Sequence, residues 1–218
     1  MVETWSSVPF ILGEGLRRLA DGRVVMVDIL AGCLYEVDPG QCGAERLLHR
    51  LDVPLGAVAP LGEESWIAAA GTGIAVLGPS GLEWIDRPED GAATAMRMND
   101  GVCDPAGRFW AGSMPYDGTM GAGSLYRLDA DGSVTQVLDG ITIPNGSAFS
   151  ADGTLMYLAD SDAGTIDVFD VDPGSGSLSS RRRFADLDDG SPDGMLVDDE
   201  AHLWSAVRGG SRIERRSP

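Results

Sequence analysis

The sequence predicts an all-β protein folded as a β-propeller, and three observations carry that expectation. A unit recurs every 41 to 48 residues along the 218-residue chain. Within each unit, apolar runs of about five to seven residues, rich in Val, Ile, Leu, Trp and Tyr, alternate with turns of Gly, Asp, Pro or Ser. No segment sustains an apolar period of 3.6, so helices are expected to be rare. Self-similarity at this spacing, with short strands throughout, marks blades of four strands repeated around an axis. A β-sandwich is the ordinary alternative for such strands, but it needs no repeat.

The units can be followed in order. The first contains ADGRVVMVDILAGCLYEVDPG from Ala20 and the second GEESWIAAAGTGIAVLGPSG from Gly62. The third runs from Asp104 as DPAGRFWAGSMPYDGTMGAGSLYRLDADG, with a glycine-rich hairpin loop at Gly118. The fourth is SADGTLMYLADSDAGTIDVFDVDPGSG from Ser150, and the fifth is DDEAHLWSAVRGGSRIERRSP from Asp198. Ahead of these cores stand Gly15, Gly56, Gly101, Gly146 and Gly194, in the same register. The innermost strand of each blade is expected there, with glycine permitting close packing or an unusual dihedral. A single domain is expected, with blades over approximately 10–52, 53–90, 95–140, 141–188 and 189–218.

Composition removes several kinds of function. With 34 acidic and 16 basic residues the formal charge is −18, which disfavours nucleic acid and membrane surfaces as partners. All 16 basic residues are arginine, so Schiff-base catalysis and lysine-dependent phosphate loops are excluded. His49 and His202 read as edge-strand and turn residues, which leaves little support for a Ser-His-Asp triad. Cys33, Cys42 and Cys103 form neither a CxxC pair nor an even disulfide framework. No apolar run approaches the roughly 18 residues of a membrane span, and the amino terminus lacks the pattern of a signal peptide. A cytoplasmic location is expected.

The residues ahead of the five register glycines are Glu14, Leu55, Asp100, Asn145 and Asp193. Four carry side-chain oxygens, and Asn99 adds another beside Asp100. Inner strands of different blades converge, and gathering carboxylates is costly unless protons or a cation neutralise them. Oxygen ligands without Cys or His favour Ca²⁺, Mg²⁺ or Mn²⁺, with Zn²⁺ also compatible. Asn-Gly and Asp-Gly also make ordinary turns, and spacing alone leaves both readings open. The acidic runs from Asp160 and Asp186 place Gly one position early and end on Val, so neither is an EF-hand. Arg181, Arg182 and Arg183 read as a solvated outer strand.

Four motifs, LGEGL at Leu12, RMNDG at Arg97, IPNG at Ile143 and SPDGM at Ser191, resemble the SMP-30/gluconolactonase/regucalcin family. The strands GRFWAGSM, LMYLAD and HLWSAV resemble it too, so the likeness covers nearly the whole chain. It implies a six-bladed propeller type, of which this chain is expected to encode about four and a half to five blades, shortened at the C-terminus. It further implies one divalent metal held by Glu14, Asn145 and Asp193. Arg97 and Asn99 would bind substrate or water beside the ion, with Asp100 in support. The implied activity is hydrolysis of a lactone, a sugar lactone such as gluconolactone foremost. In that chemistry the metal polarises the carbonyl, Asp193 takes a proton from the attacking water, and Arg97 and Asn99 donate to substrate oxygens. The alternative is a non-catalytic propeller that binds calcium or a partner. Open blade edges would also allow self-association.

Overall fold

The computed structural model describes residue 6 and residues 8–41 and 43–218. Residues 1–5 and 7 of the amino-terminal segment, and Cys42, lie outside the described residues. The described chain forms nineteen strands and no helix. The first sheet comprises β1 (Gly13–Arg18), β2 (Val24–Asp28), β3 (Cys33–Val37) and β4 (Glu45–Arg50). The second comprises β5 (Leu55–Pro60), β6 (Trp66–Ala70), β7 (Gly73–Gly78) and β8 (Gly81–Asp86). The third comprises β9 (Met96–Cys103), β10 (Phe109–Pro115), β11 (Gly123–Leu128) and β12 (Val134–Ile141). The fourth comprises β13 (Pro144–Phe149), β14 (Leu155–Asp160), β15 (Thr165–Val171) and β16 (Leu178–Asp186). The fifth has three strands, β17 (Ser191–Val197), β18 (Leu203–Arg208) and β19 (Arg212–Arg216). Every sheet is an antiparallel meander in chain order, which is the blade arrangement the repeat predicts.

Burial follows strand position. All of β2, VVMVD, is buried, whereas the fourth-position strand β4, ERLLHR, is half-buried to exposed. Four apolar cores lie between successive blades, and a smaller one, Val24, Met26 and Val37 with Phe10 and Tyr35, covers the first blade's other face. Val25, Val27 and Leu34 of the first blade pack against Leu55, Val58 and Trp66 of the second. Met98, Phe109 and Tyr126 of the third meet Ala57, Ala69 and Ile74 of the second. Trp110 and Leu125 pack with Met156, Leu158 and Phe169, and Tyr157 and Ile166 pack with Leu203. Each such large side chain contributes about 1.5–3 kcal/mol when fully buried. No strand pairing and no shared core joins the first and fifth blades among the described residues. On that side Leu16, Leu196 and Ile213 are exposed.

Asp-rich turns account for much of the negative charge. Asp21, Asp104, Asp131, Asp152 and Asp198 each accept the backbone N–H two residues ahead. This side-chain mimic of a turn shapes the connections between strands. The arginines of β16 are surface groups paired with Asp167, Asp170 and Asp186, as their outer position implies.

The first strands line the centre, with β5 against β9, β9 against β13, and β13 against β17. Each is irregularly paired with its neighbour at the register glycine. The shifts fall between Glu14 and Arg17, Leu55 and Ala57, Asn145 and Ala148, and Pro192 and Met195, with a matching shift opposite Asn99 and Asp100. A bulge re-aims the side chain beside it, and here Glu14, Asp100, Asn145 and Asp193 are brought near one another. Two glycines show why the position demands them. Gly146 has φ +57° and a Cβ there would run into the backbone oxygen of Asp193. At Gly56 a Cβ would meet the Asn99 carbonyl oxygen directly.

Candidate active site

Four of the five bulges bring oxygen-bearing side chains together. In the fourth blade Asn145 Nδ2 donates to Asp193 Oδ1 at 2.7 Å, across to the fifth blade. Its Oδ1 accepts the N–H of Gly146 at 3.0 Å. Glu14, from the first blade, faces Asp193 and Asp100 closely enough that both disfavour its ionised form. Burial is the largest cause and these two like charges follow; together they push the Glu14 carboxyl up to about 7. Leu55, the second-blade counterpart, is fully buried in the core between blades one and two and supplies no oxygen.

Asp100 sits between the ligand positions and the scaffold. Its Oδ1 accepts from Gly101 N and its Oδ2 from Gly146 N, both at 2.8 Å. Burial raises its pKa, opposed by these two N–H groups and by the Arg17 guanidinium. Arg17 reaches from the first blade to donate to the Gly101 carbonyl oxygen at 2.9 Å. No local signal singles out Arg17, because its partner lies 84 residues away and two blades over.

Arg97 and Asn99 are both buried. Arg97 Nη1 donates to Asn99 Oδ1 at 2.8 Å and to the Met98 carbonyl at 3.0 Å. Asn99 Nδ2 donates to the Pro144 carbonyl at 3.0 Å, one residue before Asn145. Asn99 therefore holds Arg97 in place and braces the fourth blade. Glu14 and Tyr116 are the charged or ionisable groups that act on Arg97. Tyr116 and Met120, both exposed, lie on the loop joining β10 to β11 and mark the rim on that side.

Glu14, Asp100 and Asn145 also border a cavity of about 910 Å³. It continues past Arg17 and Cys103 to the gap between the first and fifth blades, where Leu196 and Ile213 line it. Arg97, Asn99 and Asp193 do not line this space. Neither histidine lines it: His49 lies on outer strand β4, and His202 sits in a turn with Nδ1 near the Glu200 carbonyl.

The donor set suits a hard cation. Among the described residues no three His, Cys, Asp or Glu side chains are gathered as a ready-made cage. The set instead mixes carboxylates with the Asn145 carboxamide, whose oxygen is a good ligand for such ions. Burial first, and then the like charges of Asp193 and Asp100, raise the Glu14 carboxyl to about 7, and a cation beside it would favour its ionised form.

A five-bladed antiparallel propeller whose inner-strand bulges bring oxygen-bearing side chains together is the class defined by this fold and site. The sequence profile of the SMP-30/gluconolactonase/LRE-like region matches residues 12–218, and the chain belongs to that family. It is 35% identical to the putative sugar lactone lactonase YvrE of Bacillus subtilis (strain 168), over 95% of this chain and 72% of that one. It is 36% identical to the pentonolactonase XacC of Haloferax volcanii, over 93% of this chain and 69% of that one. The solved structure of a calcium-binding protein, regucalcin from Agrobacterium tumefaciens, superposes with a TM-score of 0.89 at 28% identity. That match covers 98% of this chain and 73% of the other.

Proposed function

We propose that this protein is a divalent-metal-dependent lactonase acting on a sugar lactone, with Glu14, Asn145 and Asp193 as the metal ligands. The observation that carries the reading is the convergence of these three oxygen donors from three blades, with Glu14 pushed up to about 7 by burial and by the neighbouring Asp193 and Asp100. The names of the lactonase relatives support the substrate class. When bound, a divalent cation supplies Lewis acidity to the lactone carbonyl and makes a nearby water more acidic.

The chain's own residues do the rest. Asp193 is oriented by the Asn145 amide on Oδ1, and its other oxygen accepts a proton from the attacking water. The water oxygen bonds to the carbonyl carbon, the ring C–O bond breaks, and the proton on Asp193 passes to the departing alkoxide. Arg97, with Nη1 engaged by Asn99 and Met98, offers its remaining N–H groups to substrate oxygens or to the developing oxyanion. Asn99 keeps Arg97 in register, and Asp100 holds Gly146 beside the ligand Asn145.

The test is acid release from a panel of aldonolactones with Ca²⁺, Mg²⁺, Mn²⁺ or Zn²⁺, set against a chelated control. Metal-stimulated release on at least one lactone is expected. The second reading, a non-catalytic calcium-binding propeller, draws on the calcium-binding description of the regucalcin neighbour. Tight calcium binding with no stimulated release on any lactone would favour it.

A further inference from the structure

An amide has two unlike ends, and a ligand to a cation must present its oxygen. We propose that Ser161 and Asp160 form a positioning pair that fixes Asn145 with its oxygen toward the ion and holds Asp193 beside it, with Asp28 as the first-blade counterpart behind Glu14. The proposal rests on the ion-binding reading above.

Ser161 is buried at the end of β14. Its hydroxyl has one hydrogen, and that hydrogen goes to the carbonyl of Pro192, the residue before Asp193, at 2.5 Å. Toward Asn145 it can therefore only accept, and the group it faces at 3.2 Å must be Nδ2. The second Nδ2 hydrogen goes to Asp193, which directs Oδ1 to the opposite side. One hydroxyl thus sets the flip of the amide and tethers the segment that carries Asp193.

The neighbouring carboxylate controls the approach of the strand. Asp160 Oδ2 accepts from Thr142 N at 2.8 Å and Oδ1 from Ile143 N at 3.0 Å, while Ser161 N donates back to the Ile143 carbonyl at 3.0 Å. Asn145 follows Ile143 by two residues. The first blade repeats this device. Asp28 Oδ2 accepts from Ile11 N at 2.8 Å and Oδ1 from Leu12 N at 2.9 Å, and Ile29 N donates to the Leu12 carbonyl at 2.9 Å. Glu14 follows Leu12 by two residues.

The two blades differ where the chemistry of the ligands differs. Ile29 stands where the fourth blade has Ser161. A carboxylate presents an oxygen whichever way it is turned, so Glu14 needs its strand placed but no group to choose its face. Asn145 needs both. The second blade, whose channel residue Leu55 pairs with Ala70, has Gly71 and Thr72 at these positions and no carboxylate latch.

The test uses Ser161→Ala, Ser161→Cys and Asp28→Asn in the full chain, with two readouts. The first is nuclear magnetic resonance of the Asn145 side-chain amide in ion-free protein, where slow hydrogen exchange is expected in the wild type and fast exchange in Ser161→Ala. The second is calorimetric affinity for Ca²⁺ and Mn²⁺, expected to weaken by about tenfold or more in Ser161→Ala and in Asp28→Asn, the range usual for groups that orient metal ligands. Ser161→Cys, with a weaker donor and acceptor in similar volume, is expected to fall between and serves if the alanine variant does not fold. Unchanged amide protection and unchanged affinity in a folded variant at Ser161 would overturn the proposal. Should the wild type bind neither ion, the ion-binding reading fails, and the Asn145 amide signal alone decides whether Ser161 orients it.

Discussion

Asn145 of the fourth blade and Asp193 of the fifth are joined by a 2.7 Å hydrogen bond from Nδ2 to Oδ1. The bond crosses a blade boundary and links two bulges, so neither ligand position is set by its own strand alone. It also leaves one oxygen of Asp193 without a hydrogen-bond partner among the described residues, the oxygen assigned above to proton transfer.

Asp193→Ala removes the residue proposed as both metal ligand and proton acceptor. Metal-stimulated turnover is expected to fall by at least about 10²-fold, the lower range for loss of a general base. Initial rates in metal-buffered solution measure this, and full activity in the variant would refute the role.

Glu14 predicts an unusual pH dependence for the ion-free protein. Its carboxyl lies at about 7 when folded against 4.5 as the ordinary value, so the folded state binds this proton more tightly than the unfolded state. The stability this group contributes is complete below about 4.5 and is lost as pH rises through about 7. The melting temperature of ion-free protein should therefore decline across that window. Glu14→Gln should flatten this decline, and a divalent ion should raise the melting temperature most above about pH 7.

Gly146→Ala should damage both stability and ion binding. The φ of +57° alone costs an L-residue about 1–2 kcal/mol, and the new Cβ meets the Asp193 backbone and Met195. Gly22→Ala is the control: it also has positive φ, at +90°, but its Cβ would enter open space. Denaturant midpoints should fall for both, and ion affinity only for Gly146→Ala.

Trp110 tests the packing between the third and fourth blades. It is fully buried against Met156 and Phe169, and its Nε1 donates to Asp104 Oδ2 at 3.0 Å. Trp110→Ala should cost about 3–5 kcal/mol in equilibrium unfolding. Trp110→Phe should cost less, since it keeps most of the apolar contact and loses the hydrogen bond.

The propeller was legible because every blade repeats the same local chemistry: Asp or Gly at turns, β-branched and aromatic residues between them. Glu14, Asp100, Asn145 and Asp193 stood out because a glycine follows each of them in the same repeat register. What stayed hidden depends on contacts between blades. Arg17 follows the first bulge with no local sign that it reaches Gly101. Ser161 looks like any turn serine until Pro192 and Asn145 are brought to it from either side. Asn99 is expected to meet substrate from its motif, which carries no sign that its amide also bonds Arg97 and the Pro144 carbonyl of the next blade. Asp28 and Asp160 end ordinary β-strands, and their partners are backbone N–H groups that carry no side-chain signature.

The central claim is that the oxygen cluster on the axis binds an ion that lactone hydrolysis requires. Its most direct test titrates ion-free protein with a divalent cation while both heat of binding and acid release from an aldonolactone are followed. Activity should rise in step with occupancy, reach a plateau at one ion per chain, and be lost together with binding in Glu14→Gln and Asp193→Ala. Lactone hydrolysis that persists unchanged in chelator, or that survives in variants that no longer bind the ion, would contradict it.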